Sequence, residues 1–410
     1  MRFLGFVFHE MAFGLLSIFL PLYVVNDLHL PGTVGLIYFG IMIAVANFVA
    51  VPFSFLWGYL CDRMRRYRLF ILISFSGMSV LFYVFSLTTS ILLLIVLYGL
   101  IAVFHSAHEA PKNVLIAEDF SRADWEQNFA SYEAQTDVGT IAGLILGFAL
   151  SAVGFPSVWF ILFVSLLNLV GFVFTIFLIR DPLFIFERKL VAAERFFDFA
   201  HRGFAVASRA LAGGRVTESL KSESLTIFCV GLFSFFFATS MLFTPLPVFF
   251  NSAHYLNLTE SVVFVVFIFN TLGGTVGYII AGRRAEISGE RGVIGRAALS
   301  RTLLSLLLVL VAVWGSVFLG LVHAFVAALA VLILVLMGLV YGLFWIASLS
   351  LSMELIPEGK AGVFNALAGL GGAFGCFLGT LVAQSYGFST LFVIVAIVFA
   401  LSYVAFKTYA

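Results

Sequence analysis

The chain has 410 residues, of which 62% are hydrophobic and only 10% charged, with a formal net charge of +1. No water-soluble domain of this length needs so much apolar surface, so the composition excludes a soluble enzyme and places nearly the whole chain in a lipid bilayer. Its cationic residues are scattered among short loops, which leaves no groove for nucleic acid.

A hydrocarbon core about 30 Å thick requires roughly 20 apolar residues per helix. Runs of that kind fall at 3–25, 33–57, 69–88, 91–115, 128–153 and 157–179, then at 224–250, 260–282, 299–321, 325–352, 361–385 and 388–407. The expectation is an all-α integral membrane protein with twelve transmembrane helices. The first run follows Arg2, but His9 and Glu10 interrupt it and no A-x-A pattern closes it, so it is expected to remain as a helix rather than be cleaved as a signal peptide. Arg63, Arg65, Arg66, Arg68, Arg122, Arg283, Arg284, Arg291, Arg296 and Lys360 fall in connections on one side, as does the group from Arg180 to Lys221. The opposite turns contain no Lys or Arg. Positive charge is retained on the cytoplasmic side during insertion, so the expected placement is a multi-pass protein of the cell membrane with both termini cytoplasmic.

The polar stretch after residue 180 divides the runs into two sets of six. The expected domains are an N-terminal six-helix bundle at 1–180, a partly amphipathic cytoplasmic linker at 181–223, and a C-terminal six-helix bundle at 224–410. The spacing from Pro21 to Gly58 recurs between Pro245 and Gly282, and the ladder Gly139, Gly143, Gly147 of helix 5 recurs as Gly371, Gly375, Gly379 in helix 11. Small residues every fourth position make a flat helix face that lets backbones approach, and their recurrence points to an internal repeat.

Between helices 2 and 3 the chain reads Gly58-Tyr59-Leu60-Cys61-Asp62-Arg63-Met64-Arg65-Arg66. This resembles the G-x-x-x-D-R-x-x-R signature of the major facilitator superfamily. The resemblance implies a secondary transporter whose two bundles rock about a central site, with Gly58, Asp62, Arg63 and Arg66 latching the cytoplasmic side. Gly58 would permit close helix approach there, and Arg63 and Arg66 have Glu118, Asp119 and Asp124 as available acids. Three features depart from the pattern. The equivalent loop Gly282-Arg283-Arg284-Ala285-Glu286 lacks the Asp-Arg pair, Gly143-Leu144 stands where drug antiporters have Gly-Pro, and helix 4 has Tyr98 and Gly99 where many proton-linked members carry Arg.

The resemblance also implies that helices 1, 4, 7 and 10 line the cavity. Helix 1 offers His9 and Glu10. Helix 4 offers His105, His108, Glu109 and Lys112, with 105, 109 and 112 on one face. Charges at the bilayer centre cost about 2.5–3.5 kcal/mol each, so such groups pair with one another or meet water. Glu10 and Glu109, with His105 and His108, are therefore the expected proton-coupling site, against the plainer reading of a structural Glu109–Lys112 pair. Glu133 and Asp137 on helix 5 either support the gate or line the inner mouth. His9, Thr239, Ser240, Asn270, Tyr341 and Trp345 are the candidate cavity residues, and their neutral polar and aromatic character suits an amphipathic or weakly polar solute. On this view a strongly anionic solute would need a membrane Arg or Lys.

No metal site or cofactor is expected. Cys61, Cys229 and Cys376 are isolated, His105-x-x-His108-Glu109 is not the H-E-x-x-H order, and no Walker A pattern occurs. The functional expectation is a secondary active transporter, not an enzyme, moving a small solute with protons as the coupling ion and with export ahead of uptake. Its partners are the lipid bilayer, a small-molecule substrate and protons. A single-metabolite uptake permease is the alternative, and an intramembrane lipid enzyme or a non-transporting sensor is the rival from another class.

Overall fold

The computed structural model describes residues 4–28, 30, 34–64, 66–118, 125–179, 218–284, 290–317, 321–355 and 362–409. In chain order the helices are α1 (Leu4–Leu22, continued by a π turn over Tyr23–Asp27), α2 (Gly35–Met64), α3 (Tyr67–Phe85), α4 (Ile91–Glu118), α5 (Trp125–Val153) and α6 (Ser157–Leu178). Next come α7 (Glu218–Phe243), a short helix (Leu246–Asn251), α8 (Glu260–Arg284), α9 (Glu290–Val317), α10 (Leu321–Leu355) and α11 (Gly362–Tyr409). Among the described residues, eleven helices are long and apolar enough to cross a membrane. The last two expected spans follow one another without a loop in 362–409 and are separated only by a kink at Gly387, where φ is 82° and ψ 166°, so they enter that count as one. Only glycine adopts that backbone geometry without strain. Expected helix 7 is interrupted at Pro245, which has no N–H to continue the ladder and instead caps the short helix.

Helices α2 and α9 run past their expected ends at 57 and 299, to Met64 and from Glu290. Hydropathy locates the apolar window, whereas a helix continues through polar residues that reach the interface. Most of the amphipathic linker expectation, 181–217, lies outside the described residues.

The glycine ladders set the packing. A Cβ on Gly139 or Gly143 would press on the carbonyls of Val7 and Met11 in α1, and one on Gly375 or Gly379 would press on those of Phe237 and Met241 in α7. The two ladders thus join α5 to α1 and the first arm of α11 to α7 in the same way, as the internal repeat requires. Elsewhere α1 also packs on α6, α3 packs on α4 and α6, and α2 on α4, while α10 packs on α8 and α9. The early and late helices meet along two further seams, α5 with α8 and α2 with α11. At the Asp27 end they are tied directly: the Asn26 amide donates to Asn251 Oδ1 at 3.1 Å and to Glu260 Oε1 at 3.4 Å.

Replacing Gly143 by Leu should force α5 off α1 and lower stability by about 1–3 kcal/mol or prevent accumulation. Gly58→Ala, where a Cβ meets nothing within 4 Å, should stay within about 0.5 kcal/mol. Thermal unfolding of the two variants in detergent, followed by size-exclusion chromatography, checks the contrast; equal stability would dismiss the ladder as the packing determinant.

Candidate functional site

Two polar cores are built into the helices, one in each half of the chain. In the first, His9 of α1 and His105 and His108 of α4 come together, with one ring nitrogen from each within 4.8 Å of the others. His9 is fully buried and points at α6, where its Nδ1 bonds Asn168 Oδ1 at 3.0 Å. His108 Nδ1 lies 3.1 Å from Ser74 Oγ of α3. The His9 ring stacks on Phe75 at 4.9 Å and His105 lies 4.7 Å from Phe13. These three imidazoles are the residues best placed to hold a metal ion. Zinc with Zn–N bonds of about 2.0–2.1 Å would need its nitrogens about 3.3 Å apart, and His9 and His108 already spend nitrogens on Asn168, Ser74 and Glu109. As they stand they form a ring-stacked core in which His9 Nδ1 and both nitrogens of His108 have polar partners, while His9 Nε2 and His105 Nδ1 are buried without one.

Helix α4 then carries the ionised groups. Glu109 Oε2 lies 2.7 Å from Lys112 Nζ, and Glu109 Oε1 lies 3.4 Å from His108 Nε2. The i, i+3 spacing puts acid and ammonium on adjacent turns of one face. Lys112 is also in electrostatic reach of Glu133 on α5 and Glu10 on α1. Glu10 is held there by the ladder, since the Cβ position at Gly139 is 3.2 Å from the Glu10 Cβ. Asp137, one turn beyond Glu133, accepts a 2.7 Å bond from Thr275 Oγ1 across the α5–α8 seam. Four acids and a single ammonium therefore share this core among the described residues.

The structure brings the expected coupling residues Glu10, His105, His108 and Glu109 together, and adds Glu133, Asp137, Asn168 and Ser74. His9, expected in the cavity, is buried among α3, α4 and α6. Asn270 is engaged in helix packing, its amide donating to Leu334 O of α10 at 2.7 Å. Tyr341 and Trp345 stack on each other at 5.9 Å, and Ser240 lies beside Gly372 and Cys376 at the α7–α11 contact. Of the gating residues, Arg63 is exposed and receives no carboxylate among the described residues, its Nη1 meeting Tyr59 OH at 3.2 Å. Arg66 is exposed, and Gly58 has open space rather than the expected close helix contact. The side chain of Asp62 lies outside the described residues, as do those of Glu118, Asp119 and Asp124.

The second core centres on Arg301 of α9, which the sequence left unassigned because the expected span began only two residues before it. With α9 starting at Glu290, Arg301 stands three turns inside the helix and is 1% exposed. Its guanidinium carbon lies 5.2–5.6 Å from the ring centres of Phe235, Phe243, Tyr341 and Phe399. Nη2 donates to Met337 O at 3.0 Å and Nη1 to Thr239 Oγ1 at 3.4 Å. Aromatic faces offset part of a buried cation's cost. The signal available in the sequence was an Arg followed by a long run that is apolar apart from Thr302 and Ser305.

Residues 2–380 match the model of the Major Facilitator Superfamily. Among curated proteins none matches the chain. Among solved structures it is similar to a variant of the peptide transporter POT in complex with sulfate, at 13% identity and a TM-score of 0.72 over 99% of this chain and 93% of that one. It is similar to the nucleoside transporter NupG at 15% identity and 0.66 over 100% and 97%. It also resembles the xylose transporter XylE from E. coli in a partially occluded inward-open conformation, at 12% and 0.66 over 98% and 95%. Identities this low establish a shared fold.

A double-mutant cycle on Glu109→Gln and Lys112→Met tests the ion pair. Lys112→Met leaves a partly buried carboxylate without its partner and should be the more destabilising single change, while the double variant should recover about 1–2 kcal/mol relative to the sum. Unfolding free energies of the four proteins in mixed micelles give the coupling, and a value near zero would show that the pair contributes nothing to α4.

Proposed function

The chain belongs to the Major Facilitator Superfamily, and from that premise we propose that it moves a small solute across the cell membrane by proton-coupled alternating access. The transporter is multi-pass, with twelve crossings if the arms of α11 on either side of Gly387 each count as one. Its two moving bodies are residues 1–180 and 224–410, joined by the 181–223 linker, and both termini are cytoplasmic.

The observation that carries proton coupling is the charge imbalance of the first core. Lys112 offsets one of the carboxylates Glu10, Glu109, Glu133 and Asp137, and the others are costly to keep ionised in an apolar bundle. Protonation relieves that cost, and water reaching the core from one side restores the charge. Glu10, which has no ion-pair partner, is the proton carrier, and Glu109, ion-paired with Lys112 and bonded to His108, is the charge it exchanges against, with His105 beside them. The solute site is formed by Thr239, Ser240, Tyr341 and Trp345, whose hydroxyl and ring surfaces suit an amphipathic solute, and export is the direction. The solutes named for the solved neighbours run from sugar to nucleoside to peptide, so they fix no substrate. The exposed Arg63 and Arg66 and the open Gly58 are consistent with an unlatched cytoplasmic end, while the Asn26–Asn251 contact ties the outer end.

In liposomes, Glu10→Gln and Glu109→Gln should each lose accumulation driven by a pH gradient, at least tenfold, while retaining gradient-free exchange. Wild-type accumulation by both variants would move the coupling site elsewhere. Asp62→Asn should slow transport severalfold with folding intact, because it removes a latch rather than core packing; unchanged flux would take Asp62 out of the mechanism.

A further inference from the structure

Arg301 is an isolated cation. The groups in electrostatic reach are the hydroxyls of Tyr341 and Tyr278, and no carboxylate pairs with it among the described residues. Its two terminal nitrogens are engaged, but Nε, buried, has no acceptor. One turn further along the same face of α9, the hydroxyl of Ser305 is fully buried and has no partner either. A membrane-helix serine ordinarily bonds its own backbone, as Ser76, Ser54 and Ser352 do here. Two adjacent hydrogen-bond donors, one of them cationic, thus lie unsatisfied in a core that supplies no anion. A buried donor left without a partner is destabilising, and more so when it is charged.

We propose that Arg301 and Ser305 bind the carboxylate of an amphipathic organic anion, which is the transported solute. The acceptor the core lacks is an oxyanion, and a carboxylate has two oxygens to meet Nε–H and the serine hydroxyl. The rings of Phe235, Phe243, Tyr341 and Phe399 around the guanidinium call for an apolar body on that anion rather than a small inorganic ion. Thr239 on α7 and Tyr341 on α10 connect the guanidinium to the two second-half helices that line the solute path. This assigns a substrate class to the transport reading and rests on it.

The test measures binding to the full-length, detergent-purified protein by thermal shift and calorimetry. The probes are benzoate and phenylacetate, with benzyl alcohol, benzylamine and inorganic phosphate as controls. The carboxylates should raise the unfolding temperature and the controls should not, since a ligand bound only to the folded state stabilises it. Arg301→Gln should weaken benzoate binding at least tenfold, Arg301→Lys less, and Ser305→Ala severalfold. Equal shifts with benzoate and benzyl alcohol, a response to phosphate without one to benzoate, or unchanged affinity in Arg301→Gln would each overturn the site. Should Arg301→Gln fail to fold, Ser305→Ala decides: weaker benzoate binding supports the site and unchanged binding overturns it. Because no gradient is involved, the result is independent of coupling. Glu10→Gln protein that binds benzoate normally yet accumulates none keeps the anion site, whereas benzoate bound at Arg301 but never moved into liposomes by the wild type keeps the site and overturns the claim that the bound anion is the transported solute.

Discussion

The close approach of α5 to α1 is the constraint on which the first core depends. In lipid no hydrophobic force drives helices together, and contact comes from van der Waals packing between surfaces shaped to meet. Gly139 and Gly143 bring the α5 backbone against the carbonyls of Val7 and Met11, and the same contact sets Glu10 beside Gly139. From there Asp137 and Glu133, within two turns back along α5, come into line with Glu10 and with Lys112 on α4. The acids did not need to be adjacent in sequence; the glycines gather them.

That gathering gives the two cores opposite residual charge. The first holds carboxylates in excess of cations and is neutral only when protons are bound. The second holds one guanidinium with π faces and a carbonyl as its company and is neutral only when an anion is bound. In each, the third helix of the half turns a polar residue inward, Ser74 from α3 and Arg301 from α9. Loading the first core with protons and the second with an organic anion would remove both desolvation penalties at once. Coupling between the two sites then needs no direct contact between them, because each binding event lowers the cost of closing its own half around dry interior.

Much of this architecture was legible from hydropathy and spacing. Most span ends came within two turns, the start of α9 at Glu290 being the exception, and the two glycine ladders pair the helices that an internal repeat would pair. The helix 4 cluster was also visible, because four ionisable residues within eight positions of an apolar run must pair with one another or meet water. Direction was not visible. His9 and Glu10 are neighbours in sequence, yet one points to Asn168 on α6 and the other toward α5, and a helical wheel says nothing about which partner each face meets. Asn270 was placed in the cavity for its polarity, although its amide is spent on the Leu334 carbonyl across α8 and α10. Arg301 was missed for a related reason. An apolar window scored by hydropathy starts where charge stops, so a cation three turns inside a helix reads as a boundary marker.

The placement of Arg301 bears on how the protein tolerates it. A guanidinium near a helix end extends its stem toward the interface and keeps its head in water. Arg301 does the reverse, reaching inward to the Met337 carbonyl and the Thr239 hydroxyl with 1% of its surface exposed. Rings on α7, α10 and the second arm of α11 close around it, so the residue binds three elements through one charge. Had its role been only to hold those helices, a well-packed apolar side chain would serve as well or better, since replacing buried ionic groups by hydrophobic ones is commonly neutral or stabilising. The unspent donors on Nε and Ser305 are what such a replacement would discard, and they are also what a structural role leaves unexplained.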